Sequence, residues 1–407
     1  MILFHKVCIE LGLNVYDVYV FKYIRMDIKQ YFDEKKELQN NFLTYIDDSD
    51  SIEVNFDSLI SFIKEHKIHE SQDELTHLLG LLISIANNHH RQSDFFTKIK
   101  RVISYFAKEI KQNLTSKDIF TIFSSNKLLL LYLIKENIIK IDAFMIIDLY
   151  QRTEPNGTRY LPYFLPEIKE KLNEKPIKNI EFDFSDFESI VQDNYEEKRS
   201  IGENDSYICS LIRNDLIDDF ISHVTVTNYP LDSNVEASVY ETNSFLNESE
   251  VSLIEYAAFY GSIQIFQYLK YNNIELKPSL WIYALHSRSP DLIHLLEECQ
   301  VVPDDKTYEK CFFEAIQCHH NDFADYVHNN LVVHDENASD GEQTFEERFI
   351  GCSFRHYNYE YFPENFDEDY AFFYLCKYKY QKIVDLFLES KKDEIELALI
   401  TKNALFV

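Results

Sequence analysis

The run that most suggests chemistry is Cys318-His319-His320, with Cys311 seven residues upstream. Thiolate and imidazole are the groups that hold zinc or build a nucleophile–base pair. A zinc site needs donors converging tetrahedrally, ordinarily from C-x2–4-C or H-x3–5-H pairs, and that pairing is missing. Cys318 and His319 are chain neighbours, which seldom reach attack geometry, and no third orienting group is visible beside them. These residues are therefore expected to be structural, at a turn between two helices, and no bound zinc is expected. A metal-binding protein or small hydrolase using Cys311, Cys318, His319 and His320 is the runner-up reading. His89 and His90 form a second doublet. Adjacent side chains on a helix diverge, so a helix-end, hydrogen-bonded role is expected for both. No Walker loop, G-x-S-x-G, H-E-x-x-H, kinase or calcium-loop signature occurs, so no catalytic residue and no cofactor is expected.

The elements that carry these residues read as helices. Phe56, Leu59, Ile60 and Ile63 form one apolar stripe at helical spacing. Leu75, Leu78, Leu79, Leu82 and Ile85 form a second, and Phe95, Ile99, Val102, Ile103 and Phe106 a third. Each marks a helix with one face for a core. Breaks are short and polar, as between antiparallel neighbours, and period-two alternation is nearly absent, so no sizeable sheet is expected. The 407 residues are 45% hydrophobic, enough for a real core and too much for wholesale disorder. Seven glycines and nine prolines are too few for a many-turned β-sandwich. A net charge of −29 repels nucleic acid and anionic membranes. The longest apolar run, 128–134, is too short to span a bilayer, and the N-terminus carries charges where a signal peptide would be apolar. Seven scattered cysteines fit a reducing compartment, so a cytoplasmic location is expected.

Three stretches interrupt the helical rhythm. Residues 151–166 hold three prolines and read as a connecting loop; residues 225–250 read as a long finger or hairpin; residues 333–349 read as an exposed acidic linker. Between 167 and 197 lies a charged stretch expected to form a surface helix or two with little core.

From Ser252 the sequence SLIEYAAFYGSIQIFQYLK follows the ankyrin pattern of a helix, a glycine turn and a second helix. Ala257 and Ala258 take the alanine positions, Gly261 the turn, and Ile265, Phe266 and Leu269 the second-helix core. Small side chains let neighbouring helices approach, and glycine supplies a left-handed turn. Worn copies follow in SLWIYALHSRSPDLIHLLE (Ala284, Leu285), KCFFEAIQCHHNDFADYV (Ala315) and FFYLCKYKYQKIVDLFLES (Cys376), and an earlier one stands in DSYICSLIRNDLIDDFISHV. Trp281 takes the place of the first core leucine, so burial of its indole is expected. Strings such as GENDSYICSLIRND, SLIEYAAFYGSIQIFQYLK, DLIHLLEE and CHHNDFADYV resemble an expanded family of ankyrin-repeat proteins of trichomonad-type parasitic protists, over about 52–395. That resemblance implies a helical region of unknown function merging into a repeat scaffold, and it supplies no catalytic residues.

The expected fold is therefore all-α, a helical solenoid of degenerate ankyrin-like pairs behind a helical N-terminal region. The expected divisions are an unmatched helical segment 1–50, a helical region 51–166, a charged connector 167–200, repeats over 201–395 carrying the finger and the linker, and an end at 396–407. In the ankyrin frame the two residues before each turn line the binding side: Phe259 and Tyr260, His286 and Ser287, Gln317 and Cys318, Lys377 and Tyr378. Large amphipathic rings suit such contacts. The expected function is a non-enzymatic protein–protein interaction scaffold. Its expected partner is a basic or amphipathic protein segment laid along this ladder, with no nucleic acid and no membrane insertion.

Overall fold

Periodic apolar stripes cut by polar breaks give helices, and all regular structure among the described residues is helical. The computed structural model describes residues 15–151, 160–174, 184, 194–248, 250–333, 343–362 and 369–390. The expected segment boundaries at 396–407, most of the acidic linker (334–342) and part of the proline-rich loop (152–159) lie outside them.

The chain divides into two compact units, one of residues 1–66 with 341–407 and the other of residues 67–340. This differs from divisions at 50, 166 and 200, because the N-terminal helices find their packing partners at the far end of the sequence.

The discontinuous unit opens with α1 (Val15–Asp47) and α2 (Ile52–Glu65), which pack against each other. The continuous unit begins with α3 (Gln72–Asn88), α4 (Phe95–Tyr105), α5 (Ala107–Asn113), α6 (Ser116–Phe123), α7 (Lys127–Lys135), α8 (Ala143–Gln151), α9 (Tyr160–Tyr163), α10 (Leu165–Glu174) and α11 (Tyr195–Ile201). The stripe on α3 is buried along nearly its whole length, and α4, α5 and α6 all pack on it. The proline-rich stretch is less of a loop than expected: Leu161, Tyr163, Phe164 and Leu165 are wholly buried on α9 and the start of α10. Of the charged stretch, 175–183 and 185–193 lie outside the described residues, and its described ends carry buried side chains. Ile168, Tyr195 and Arg199 are buried, and the Arg199 guanidinium reaches Glu167 through two hydrogen bonds of 2.7 and 2.8 Å.

Four helix pairs follow: α12 (Tyr207–Arg213) with α13 (Ile217–Thr227), then, after the short α14 (Ser244–Glu248), α15 (Leu253–Tyr260) with α16 (Ile263–Tyr271). The last two pairs are α17 (Leu280–Ser287) with α18 (Pro290–Glu298), and α19 (Glu309–Gln317) with α20 (Asn321–Asn330). The first helices pack in chain order, α12 on α15, α15 on α17 and α17 on α19. Every turn inside a pair is built alike. Asp215, Gly261, Arg288 and His319 all sit in the left-handed region, at φ of 48, 68, 53 and 57°. In three of these turns the following N–H reaches back five residues, Leu216 to the Leu211 carbonyl, Ser262 to Ala257 and His320 to Ala315, at 2.9–3.0 Å. This closure satisfies the carbonyls a helix end leaves open, so it tolerates residues other than glycine. Glycine is required where space is short: a Cβ on Gly261 would stand 3.2 Å from the Cβ of Ser287 in the next pair.

Adjacent pairs are also stitched by polar contacts. The Asp215 carboxylate accepts from the Gln264 and Ile265 N–H groups at the start of α16, and the Ser279 hydroxyl donates to Glu255 at 2.6 Å. Ala257 and Ala284 are wholly buried at the helix–helix contacts. We expect Ala257→Leu to overpack that contact and cost about 1–3 kcal/mol. An unchanged urea midpoint would mean that Ala257 does not face the neighbouring pairs.

The 225–250 stretch is not a free finger. Its first residues belong to α13, its base is closed by an antiparallel bridge between Asn234 and Ser252, and 238 and 240–243 are buried. The Thr242 N–H and hydroxyl both bond the Gly202 carbonyl, at 3.1 and 2.7 Å.

The remaining helices, α21 (Phe345–His356), α22 (Asp369–Lys377) and α23 (Gln381–Ser390), belong to the discontinuous unit. The stretch expected to be linker becomes helix from Phe345 onward, because the Thr344 hydroxyl and the Glu347 carboxylate cap its start reciprocally. The stretch expected as the last repeat copy forms the pair α22–α23, with Lys379 left-handed at its turn (φ 62°) and the Tyr380 N–H bonded to the Leu375 carbonyl. It packs with α21 and α1, where Gln39 joins Asn358 and the Tyr359 N–H. One unbroken array over 201–395 is thus replaced by four pairs in one unit and one in the other.

Candidate functional site

The ends of the first helices α15, α17 and α19 bring most of the expected ladder together, but not in the open. Phe259, His286 and Ser287 are buried, Cys318 is wholly so, and Tyr260 and Gln317 are half-buried. Lys377 is exposed and Tyr378 half-buried, and both belong to the other unit. An exposed ladder from Phe259 to Tyr378 is therefore corrected.

Two segments of the same unit cover it. The end of α3 and the strand-like residues after it supply Asn88 and His89. The Asn88 carbonyl accepts from His286 Nδ1 at 3.2 Å, and its side-chain oxygen accepts from Gln317 Nε2 at 3.0 Å. His89 Nδ1 donates to the Cys318 carbonyl at 2.8 Å. The start of α14 supplies Phe245, whose ring centroid lies 4.7 Å from His286 and 6.1 Å from Phe259, which itself lies 4.8 Å from His286. The two covers are joined to each other, since Asn243 Nδ2 donates to the Asn87 carbonyl at 3.2 Å.

Beneath these covers, side chains from successive pairs converge. His286 Nε2 lies 2.8 Å from Glu314 Oε1, and Cys318 Sγ lies 3.4 Å from His286 Nδ1 and 3.9 Å from Nε2. One donor atom from each of His286, Glu314 and Cys318 falls within 4.8 Å of the others, but sulfur and carboxylate sit at different ends of the imidazole, so the lining does not fit a metal ion. Gln317 Nε2 also reaches Glu314 Oε1, at 3.3 Å. Glu314 and Cys318 are four residues apart at the end of α19 and so share a face. That E-x-x-x-C spacing was the available signal for Glu314. Nothing in the sequence brings His286 to it except the repeat frame itself.

The cluster expected as the runner-up does not assemble. Cys311 is buried nearer the start of α19, where burial pushes its thiol pKa up. His319 is the left-handed turn residue. His320 Nδ1 donates to the Leu285 carbonyl at 2.8 Å and its Nε2 accepts from the His90 N–H at 3.4 Å, the pattern of a neutral ring. Burial, and after it the neighbouring His89, holds the His320 pKa well below the ordinary histidine value. The Cys318 sulfur meets His286, a residue outside the run. His89 and His90 make hydrogen bonds at a helix end, in keeping with expectation.

No helix among the described residues is long and apolar enough to cross a membrane. Comparisons with protein-family models, with curated proteins and with solved structures each find no match to this chain.

Proposed function

We propose that this chain is a non-enzymatic protein-interaction scaffold of the ankyrin-repeat type, acting in the cytoplasm on a basic or amphipathic protein segment and not on nucleic acid. The observation that carries the reading is the recurrence of one unit of construction. Four consecutive helix pairs share the left-handed turn residue, and their first helices pack in order. Stacked pairs of this kind offer an extended face to a partner and need no reactive group.

Because the ladder at 259–318 is occupied by the chain's own segments, the contact face falls on the second helices. These expose Asp218, Asp219, Asp291, Glu298, Asp322 and Asp325, with the apolar Val226 and Tyr271 beside them. Acidic side chains there would steer a basic segment and make its capture salt-dependent. The hydrolase reading is not favoured: the Cys318 sulfur has a histidine and a carboxylate at hand but is wholly buried.

The test is selection of peptides from a random display library against the full-length protein. Enriched peptides should be net basic, and a variant with Asp218, Asp291, Asp322 and Asp325 all changed to Lys should lose them. Raising the ionic strength should slow their association far more than it speeds their release. Enriched peptides of no charge preference, or binding that survives the four changes, would remove this face from consideration.

A further inference from the structure

We propose that His320 is a proton-operated latch: a second proton on its ring parts the end of α3 from the helix pairs and uncovers the side chains that Asn88 and His89 close over. The argument lies in its two partners. Nδ1 lies 2.8 Å from the Leu285 carbonyl, which can only accept, and Nε2 lies 3.4 Å from the His90 nitrogen, whose N–H can only donate. Both partners are backbone groups, so the ring is held neutral with its proton on Nδ1, and a proton added at Nε2 meets a donor. The ring is wholly buried, and among the described residues no carboxylate hydrogen-bonds it.

The groups facing His320 do not offset a second charge. The end of α3 presents the His89 ring, edge-on at 4.8 Å, and His90. The helix α17 and its turn present His286 and Arg288. Its own chain adds Cys318, His319 and, on α20, the exposed Asp322, which lies 3.9 Å from the Arg288 guanidinium. His286 is built in the opposite sense: Nδ1 faces the Asn88 carbonyl and Nε2 the Glu314 carboxylate, so it takes a second proton without losing a bond. His89 donates from Nδ1 to the Cys318 carbonyl, a bond that survives protonation. Burial, and after it His89, accordingly hold His320 neutral well below the ordinary histidine range. Released into water it regains a pKa of about 6.5, so the open form binds a proton that the closed form excludes. Closure is therefore fully present above about pH 6.5 and is lost as pH falls below it. The ratio of open to closed form should rise about tenfold between pH 7.5 and pH 5.5.

This inference concerns what holds the ladder closed and stands apart from the interaction reading. Full-length protein is exchanged into deuterium at pH 7.5 and pH 5.5, with protection corrected for the exchange rate of an unstructured chain at each pH. Amides 86–91 should lose about tenfold in protection at pH 5.5. Those of α16, which carries no histidine, should keep theirs. In His320→Gln, whose side-chain amide offers a donor and an acceptor but does not titrate, the loss at 86–91 should vanish whatever the starting level. His89→Gln should keep it. Exchange at the imidazole C2 of the wild type needs no variant: His320 should titrate with a midpoint below about pH 5.5. Circular dichroism and the Trp281 emission read folding at both pH values. The proposal is overturned by equal protection at 86–91 at the two pH values, by an undiminished loss in folded His320→Gln, or by a His320 midpoint near the ordinary value. A loss that disappears in folded His89→Gln would make His89 the titrating group and overturn it too.

Discussion

Arg199→Ala is expected to lower the stability of the continuous unit by about 3–5 kcal/mol, the range for breaking a buried ion pair from one side. The guanidinium is 1% exposed and makes a two-point contact with Glu167, a 2.9 Å bond to the Tyr163 carbonyl and a bond to Glu196. It stands over the Tyr195 ring at 4.9 Å. Burial works against its charge, but the two carboxylates and their hydrogen bonds win and hold it protonated. Removing it strands Glu167, whose side chain is only 14% exposed, and leaves the Tyr163 carbonyl only the hydroxyl of Tyr195. The loss is in what is left behind and not in the attraction alone. Arg199→Met with Glu167→Leu should therefore recover most of it, since no charge then remains in the interior. Urea midpoints of the two variants decide the matter. A single-variant cost below about 1 kcal/mol, the range of an exposed pair, would mean that the pair is solvated.

Trp281→Ala is expected to cost a similar amount, about 3–5 kcal/mol, as large-to-small changes of buried aromatic residues do. The indole is wholly buried on α17, meets the Tyr308 ring edge-on at 5.2 Å, and donates from Nε1 to the Val301 carbonyl at 2.6 Å. Val301 is where the chain leaves α18, just after left-handed Gln300 (φ 56°), so the bond pins the exit of one pair to the first helix of the same pair. Trp281→Phe keeps a ring but strands that carbonyl, and should cost about 1–3 kcal/mol. As the single tryptophan of the chain, Trp281 also reports on itself. Native emission should be blue-shifted and shielded from acrylamide, and a water-like native spectrum would contradict its burial.

What the sequence made legible is what depends on neighbours in the chain. The stripes on α3 and α4, the alanines at 257, 258, 284 and 315, and burial of Trp281 all follow from helical spacing or from the repeat frame, and the structure has them buried. The ladder residues were legible as positions and misread as surface, because what covers them is far away in sequence. His89 and Cys318 are 229 residues apart, and Asn87 and Asn243 are 156 apart. These contacts run through backbone carbonyls and short polar side chains, which leave no periodic mark. The same holds for Arg199 and Glu167, whose charges read as surface until the fold closes a core around them. Division into two units was invisible for a related reason: α22 and α23 carry the same turn as the other pairs, so local pattern alone places them in the same array.

The bonds from Asn88 and His89 to α17 and α19 change how the continuous unit can come apart. In a stack whose members touch only their neighbours, stability accumulates pair by pair and an end can fray or be removed alone. Here the last pair holds the end of α3, and α3 is the support for α4, α5 and α6. Unfolding α19 and α20 would uncover the start of the unit, so both ends melt together as one cooperative block. Closing a loop of more than 200 residues also brings its entropy cost before its reward, which makes the seating of α3 on the pairs a late and slow event in folding.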